Sequence, residues 1–278
     1  MDKKLICFAM PLEDVVEESS ASPKKRKRVA PRWRSVISLC VYLIAIPAAI
    51  FIGVKLFDDR KYNIISLIIA FLACVPFFIG FERGKTGARE LVVIAVLTAL
   101  SVVGRLIFAP LPGFKPVTAM VIITGIAYGM QAGFVTGALS AVVSNIFYGQ
   151  GPWTPFQMFV WGFLGLLSGL IFKRGKKPNR FLLVLAGILG GVLFSVMMDV
   201  WSVLNFDGSW SWSRYAALIA SSLPFMAVYA ASNVVFLLLL TNPFLEKLNR
   251  IKNKYGLFER IEQRADCCLL YTSPSPRD

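Results

Sequence analysis

Eight apolar runs constrain this chain more than any other feature of its sequence. They are Val36–Phe57, Asn63–Phe81, Glu90–Phe108, Pro116–Gly129, Gln131–Tyr148, Thr154–Phe172, Phe181–Leu204 and Arg214–Leu240. About 20 apolar residues in a helix cross a hydrocarbon core of roughly 30 Å. The fourth run is short and nearly continuous with the fifth. Joined, the two would form a helix of about 50 Å, too long to cross once. Gly129-Met130-Gln131-Ala132-Gly133 therefore reads as a tight turn between two spans. The composition agrees: 56% of the 278 residues are hydrophobic and 17% charged, where soluble domains run near one-quarter charged. The expected fold is all-α, a polytopic membrane helical bundle of eight spans.

The net charge of +14 is unevenly spread. Basic residues crowd at Lys24–Arg34, Arg83–Arg89, Lys173–Arg180 and Lys247–Lys254. The intervening loops carry few: Arg60 and Lys61 beside Asp58 and Asp59, then Lys115, then Arg214 near Asp207. Positive loops stay cytoplasmic. The alternation holds only if the fourth and fifth spans are separate, and it places both termini in the cytoplasm and the protein in a plasma membrane. Pro23–Val29 (PKKRKRV) has the form of a nuclear import signal or nucleic-acid patch. Its position just before a span reads instead as a membrane-orienting anchor, so the basic charge points to a bilayer and not to nucleic acid. Met1–Ser22 lacks the apolar core of a signal peptide.

The organisation that follows is a disordered basic cytoplasmic leader (1–35), a transmembrane hairpin (36–82), a six-helix core (88–246) and a basic cytoplasmic tail (247–267). Glu246–Arg264 mixes charge with apolar residues, as an amphipathic helix on the inner membrane surface would. The last eleven residues, Cys268–Asp278 (CLLYTSPSPRD), read as the translation of a transposase-type sequencing adapter and are set aside. None of the five cysteines stands at metal-ligand spacing, and no disulfide framework is expected.

Catalysis finds no support. The chain has no histidine, which removes Ser/His and Cys/His nucleophile pairs and histidine metal sites. It has no Gly-rich phosphate loop ending in Lys-Ser/Thr, and Asp58-Asp59 is a lone acidic pair in a short loop. No enzyme, metal site or cofactor is expected.

The polar residues inside the spans are more telling, because intramembrane charge is functional by default. Arg105 stands sixteen residues beyond Arg89, and Asp199 nineteen beyond Arg180. At about 24 Å and 28 Å of helical rise, both approach the outer interface. They are expected to pair or to face a shared outer cavity; the bland alternative is that Arg105 snorkels and Asp199 is merely wet. Three outer loops share a character: Ala109–Lys115 (APLPGFK, with Phe114), Gly149–Pro155 (GQGPWTP) and Asn205–Ser213 (NFDGSWSWS). A tryptophan belt at the interface accounts for Trp210 and Trp212. It accounts poorly for Gln150, Thr154 and Gln157. Trp153, Gln157 and Trp161 are four apart and share a helix face, next to Asn145 at the end of the preceding helix. Aromatic walls with few polar anchors suit a small-molecule pocket. Tyr229 and Asn233, deep in the last span, reach the pocket floor or bond a neighbouring helix. Two small-residue stripes remain, Ala95 and Ala99 on the third span and Gly162, Gly165 and Gly169 on the sixth; such stripes let helices approach closely.

These residues carry a resemblance. ARELVVIAVLTAL, GFKPVTAMVIITGIAYG and GALSAVVSNIFYGQGPWTPFQMFVWG, on six spans with both ends inside, resemble the substrate-binding S components of energy-coupling-factor (ECF) vitamin transporters. The resemblance covers a little over half the chain. It implies a six-helix bacterial plasma-membrane protein that binds a vitamin or related micronutrient at its outer face. It also implies docking on a transmembrane coupling subunit driven by two cytoplasmic ATPases. The family's Ala-x-x-x-Ala docking face matches Ala95 and Ala99, and its ligand-covering loops match the three outer loops. The GPWTPFQM form is most similar to S components associated with cobalamin, with riboflavin-type relatives close. Arg105, Phe114, Asn145, Gln150, Trp153, Thr154, Gln157, Trp161, Asp199, Trp210 and Trp212 are the expected ligand-binding set. The 36–82 hairpin and the leader are additions to the family core. Two other readings stay open at this level: a stand-alone secondary transporter, for which Asp199 is the clear acid, and a membrane scaffold without ligand.

Overall fold

Gly129 decides the centre of the molecule. Its φ of 93° lies in the left-handed region, which glycine reaches without the Cβ penalty of other residues. It alone separates two helices that pack against each other. The computed structural model describes residues 36, 39–57, 68, 72, 88–172, 175–207 and 210–255. Among these it contains seven α-helices and no strand: α1 (Ile46–Phe57), α2 (Ala88–Ile107), α3 (Val117–Tyr128), α4 (Met130–Tyr148), α5 (Trp153–Ile171), α6 (Arg180–Asp207) and α7 (Trp212–Tyr255). A π-helical stretch, Val41–Ala45, leads into α1. Five of the helices, α2 and α4 to α7, are long and apolar enough to cross a membrane.

The expected fourth span is the main departure. α3 has 12 residues, about 18 Å of rise, well short of the hydrocarbon thickness. Every one of its residues is buried, as a helix apolar on all sides requires, and it touches each of the other core helices. The loop before it makes up the missing length by entering the bundle. A Cβ on Gly113 would stand 3.2 Å from both Phe225 and Val228 of α7. The Lys115 N–H donates to Ser232 Oγ (2.9 Å), whose hydroxyl reaches back to the Lys115 carbonyl (3.3 Å). Irregular backbone is tolerated at membrane depth only when protein satisfies it in this way.

The α3–α4–α5 seam is closed by glycine. A Cβ on Gly133 would collide with the Gly165 carbonyl, and one on Gly165 with the Gly133 carbonyl. Gly137 is equally tight against the Trp161 carbonyl, and Gly125 against Gly165 and Ser168. Gly187 and Gly191 of α6 admit Val234 and Ala230 of α7 in the same manner. Close approach of this kind replaces the hydrophobic drive that lipid does not supply.

α6 and α7 are longer than the apolar runs predict. α7 runs on for 44 residues through Pro224 and Pro243. Glu246–Tyr255 is thus not a separate surface helix but the end of α7. Leu245 and Leu248 are buried in the core cluster with Tyr128, and the Tyr128 hydroxyl donates to the Leu248 carbonyl (3.3 Å). Lys177 and Glu246 pair at 2.7 Å at this end. Part of the expected N-terminal hairpin belongs to the core: Tyr42, Ile46 and Ile50 are buried, and Tyr42 stacks on Phe134 at 4.0 Å. The leader, the second arm of the hairpin (Asn63–Phe81) beyond residues 68 and 72, and the tail after Tyr255 lie outside the described residues.

Candidate functional site

Arg105 is buried at the C-terminal end of α2. A buried guanidinium needs acceptors or electron-rich faces to offset its lost hydration. α4 supplies both. Arg105 Nη1 donates to Ser144 Oγ and to Asn145 Oδ1 (2.9 Å). Its Cζ lies 4.5 Å from the Tyr148 ring centroid and 5.0 Å from that of Trp161. The Tyr148 hydroxyl donates to the Arg105 carbonyl (2.7 Å), freed there because α2 is ending.

Asn145 is fully buried and its orientation is dictated by chemistry. Arg105 only donates, so the Asn145 carbonyl oxygen must face it. The amide nitrogen then donates to Thr154 Oγ1 (2.9 Å) and Gln157 Oε1 (2.8 Å). Thr154 Oγ1 also accepts from the Gly151 N–H (3.3 Å), so the turn into α5 is pinned by the same hydroxyl. One α5 turn beyond Gln157, Trp161 Nε1 donates to the Tyr229 hydroxyl (3.1 Å), which lies 2.6 Å from Thr118 Oγ1. Phe194 stacks on Trp161 at 5.4 Å and leans on Tyr229 at 4.9 Å. One connected network therefore links α2, α3, α4, α5 and α7, with an aromatic wall from α6.

Lys115 joins from the inserted loop. Its Nζ lies 5.4 Å from the Tyr148 centroid.

The expected site residues divide. Arg105, Asn145, Thr154, Gln157 and Trp161 are brought together, and both Gln157 and Trp161 face the interior. Trp153 shares their helix but stands at the rim, exposed and edge-on to Trp201 at 5.9 Å. Gln150 turns back and donates to the Val142 carbonyl (2.8 Å). Phe114 packs with Phe108 and Phe236 (5.9 and 5.1 Å). Trp210 and Trp212 are exposed and touch each other and Tyr215. Arg105 and Asp199 do not pair: Asp199 Oδ2 accepts from Ser222 Oγ (3.0 Å) on α7. Similar depth on two helices does not place two side chains on facing sides, and Arg105 had nearer partners on α4. Tyr229 reaches the network, whereas Asn233 bonds α6 through the Gly187 carbonyl (3.4 Å).

Sequence reasoning missed Ser144, Tyr148, Lys115 and Thr118. Ser144 adjoins Asn145, and Lys115 is the one cation in the first outer loop; both were weak signals. Elsewhere on α2, Ala95 and Ala99 are exposed, among exposed Val92, Val96 and Val103.

A family model described as "ECF-type riboflavin transporter, S component" matches residues 85–250. Searches of curated proteins and of solved structures returned no match.

Proposed function

Since the chain belongs to the family of ECF-type riboflavin transporter S components, a family of membrane transporter subunits and not of enzymes, we propose that its buried polar network holds a vitamin at the outer face of the plasma membrane. The observation that carries this reading is the Asn145-centred network. It gathers amide, hydroxyl and guanidinium groups from α2, α4 and α5 at helix ends, where lipid gives no reason to bury them. A few polar anchors among Tyr148, Trp161, Phe194 and Tyr229 suit a planar micronutrient. The family description favours a flavin, while the GPWTPFQM form favours cobalamin. Both termini are cytoplasmic in this reading, which the charge distribution supports.

The partner is a transmembrane coupling subunit with two cytoplasmic ATPases. The uncovered Val92–Ala95–Val96–Ala99–Val103 face of α2 is the docking surface. Ligand binds from outside, the loops close, and the body tilts while docked, so that ATP binding by the partners drives release inside. The chain contributes recognition only.

Tryptophan-fluorescence titration of the purified protein with riboflavin and cobalamin, beside mass spectrometry of co-purified small molecules, tests the reading. Saturable quenching at one ligand per chain is expected, and Trp161→Phe should remove most of it. A protein that purifies empty and gives no saturable signal with either vitamin overturns it.

A further inference from the structure

The network leaves a one-sided set of hydrogen-bonding valences. Ser144 Oγ and Asn145 Oδ1 are spent on Arg105. Thr154 Oγ1 accepts from Asn145 and Gly151. Gln157 Oε1 accepts from Asn145, and because Asn145 must turn its amine toward Gln157, the Gln157 amine is the end left over. On Arg105, Nη1 makes the bonds to Ser144 and Asn145, Nε has no partner among the described residues, and Nη2 donates to none of them. Lys115 Nζ donates to none of them either; only its backbone is bonded. Around Arg105 and Asn145 the unspent groups are thus Arg105, Lys115 and Gln157, all donors; further out, Gln150 Oε1 and Asn233 Oδ1 are buried acceptors without a partner among the described residues.

They are also uncompensated in charge. Arg105 and Lys115 each lie within 5.4 Å of the Tyr148 centroid. Among the described residues neither has a carboxylate within ion-pair distance, and Asp199 is engaged by Ser222. Two cations sharing one ring repel each other, and an anion arriving from outside would neutralise both.

We propose that the ligand presents an anionic oxygen group, phosphate or carboxylate, to Arg105 and Lys115, with Gln157 donating to an acceptor on its uncharged part. This rests on the ligand-binding reading above and narrows its substrate class. Lys115 is the selectivity residue, because its side chain has no structural bond to lose. Arg105 also organises α4.

Matched pairs differing in one anionic group test this. Riboflavin and riboflavin 5′-phosphate, pyridoxine and pyridoxine 5′-phosphate, and biotin and its primary amide are titrated into the wild-type protein, Lys115→Met and Lys115→Arg. The anionic member of at least one pair should bind about tenfold tighter or more than its neutral twin. Lys115→Met should reduce that preference to within about threefold, and Lys115→Arg should keep it. The pair showing the preference separates phosphate from carboxylate. A neutral twin that binds equally well or better, or a preference that survives Lys115→Met, overturns the proposal while leaving the ligand-binding reading intact. Absence of binding across all six compounds with saturable cobalamin binding retained overturns this proposal alone, and absence of binding to cobalamin as well overturns both.

Discussion

The alanine stripe on α2 and the glycine stripe on α5 look alike in sequence, yet the fold uses them in opposite ways. Gly165 meets the Gly133 backbone directly, and a single added Cβ collides with a carbonyl. Ala95 and Ala99 are exposed. The difference lies in what flanks each stripe. Around the glycines, α3, α4 and α5 are buried on the sides that face one another. Around the alanines, Val92, Val96 and Val103 are bare. A small-residue stripe is spent where the rest of the chain closes over it, and remains available where the neighbouring side chains are also uncovered.

Gly165→Leu puts the largest load on this contrast. The obstacle is backbone, which cannot rotate away, so the cost should exceed about 3 kcal/mol. Loss of a monodisperse species in size-exclusion chromatography, or a collapsed thermal transition, is the expected result. A well-folded Gly165→Leu protein would mean that the seam is looser than its geometry implies.

Asn145→Leu comes next. It removes the acceptor of Arg105 and the donor to Thr154 and Gln157 together. Leaving a buried cation short of an acceptor, Gln157 Oε1 without its donor and Thr154 Oγ1 with only the Gly151 N–H should cost about 2–4 kcal/mol. Ligand affinity should fall by about a hundredfold, measured by titration of whatever protein remains folded. Gln157→Met loses one of those bonds and should cost about 1–2 kcal/mol. Equal losses in the two variants would show that Asn145 is not the hub.

Much of this was legible in the sequence, and the failures have physical causes. The all-helical membrane fold followed from run length and charge alternation, and the α4–α5 turn from its Gly/Pro content. The depth of Arg105 followed from helical rise, but its partner did not, because rise fixes height and leaves azimuth free. Asp199 is the only acid at that height, whereas Asn145, forty residues on from Arg105, holds the position. α3 reads as a short span because hydropathy cannot distinguish a crossing helix from a half-length helix preceded by a loop whose Gly113–Lys115 end tucks in. The Ser232 hydroxyl that makes the loop's entry affordable gives no sequence signal. Trp210 and Trp212 were grouped with the site by composition, although the interfacial belt explained them as well.

Ala99→Trp tests the other stripe. Ala99 is exposed, so stability should stay within about 0.5 kcal/mol and ligand affinity within about twofold. Co-purification with the coupling subunit, and vitamin uptake in cells, should be lost. If uptake persists, the bare face of α2 is not the docking surface, and the glycine seam is the only small-residue contact of consequence.

The smallest effect is expected from Trp212→Ala, and it marks the boundary of the site. Trp212 is 73% exposed, and its rings touch only Trp210 and Tyr215 among the described aromatics. Trp161, at 2% exposure, donates into the network and stacks on Phe194. If recognition resides in the buried network, Trp212→Ala changes affinity by no more than about threefold, while Trp161→Ala costs about a hundredfold or more. Measured by isothermal titration, a tenfold loss in Trp212→Ala would instead place the α6–α7 end over the bound ligand.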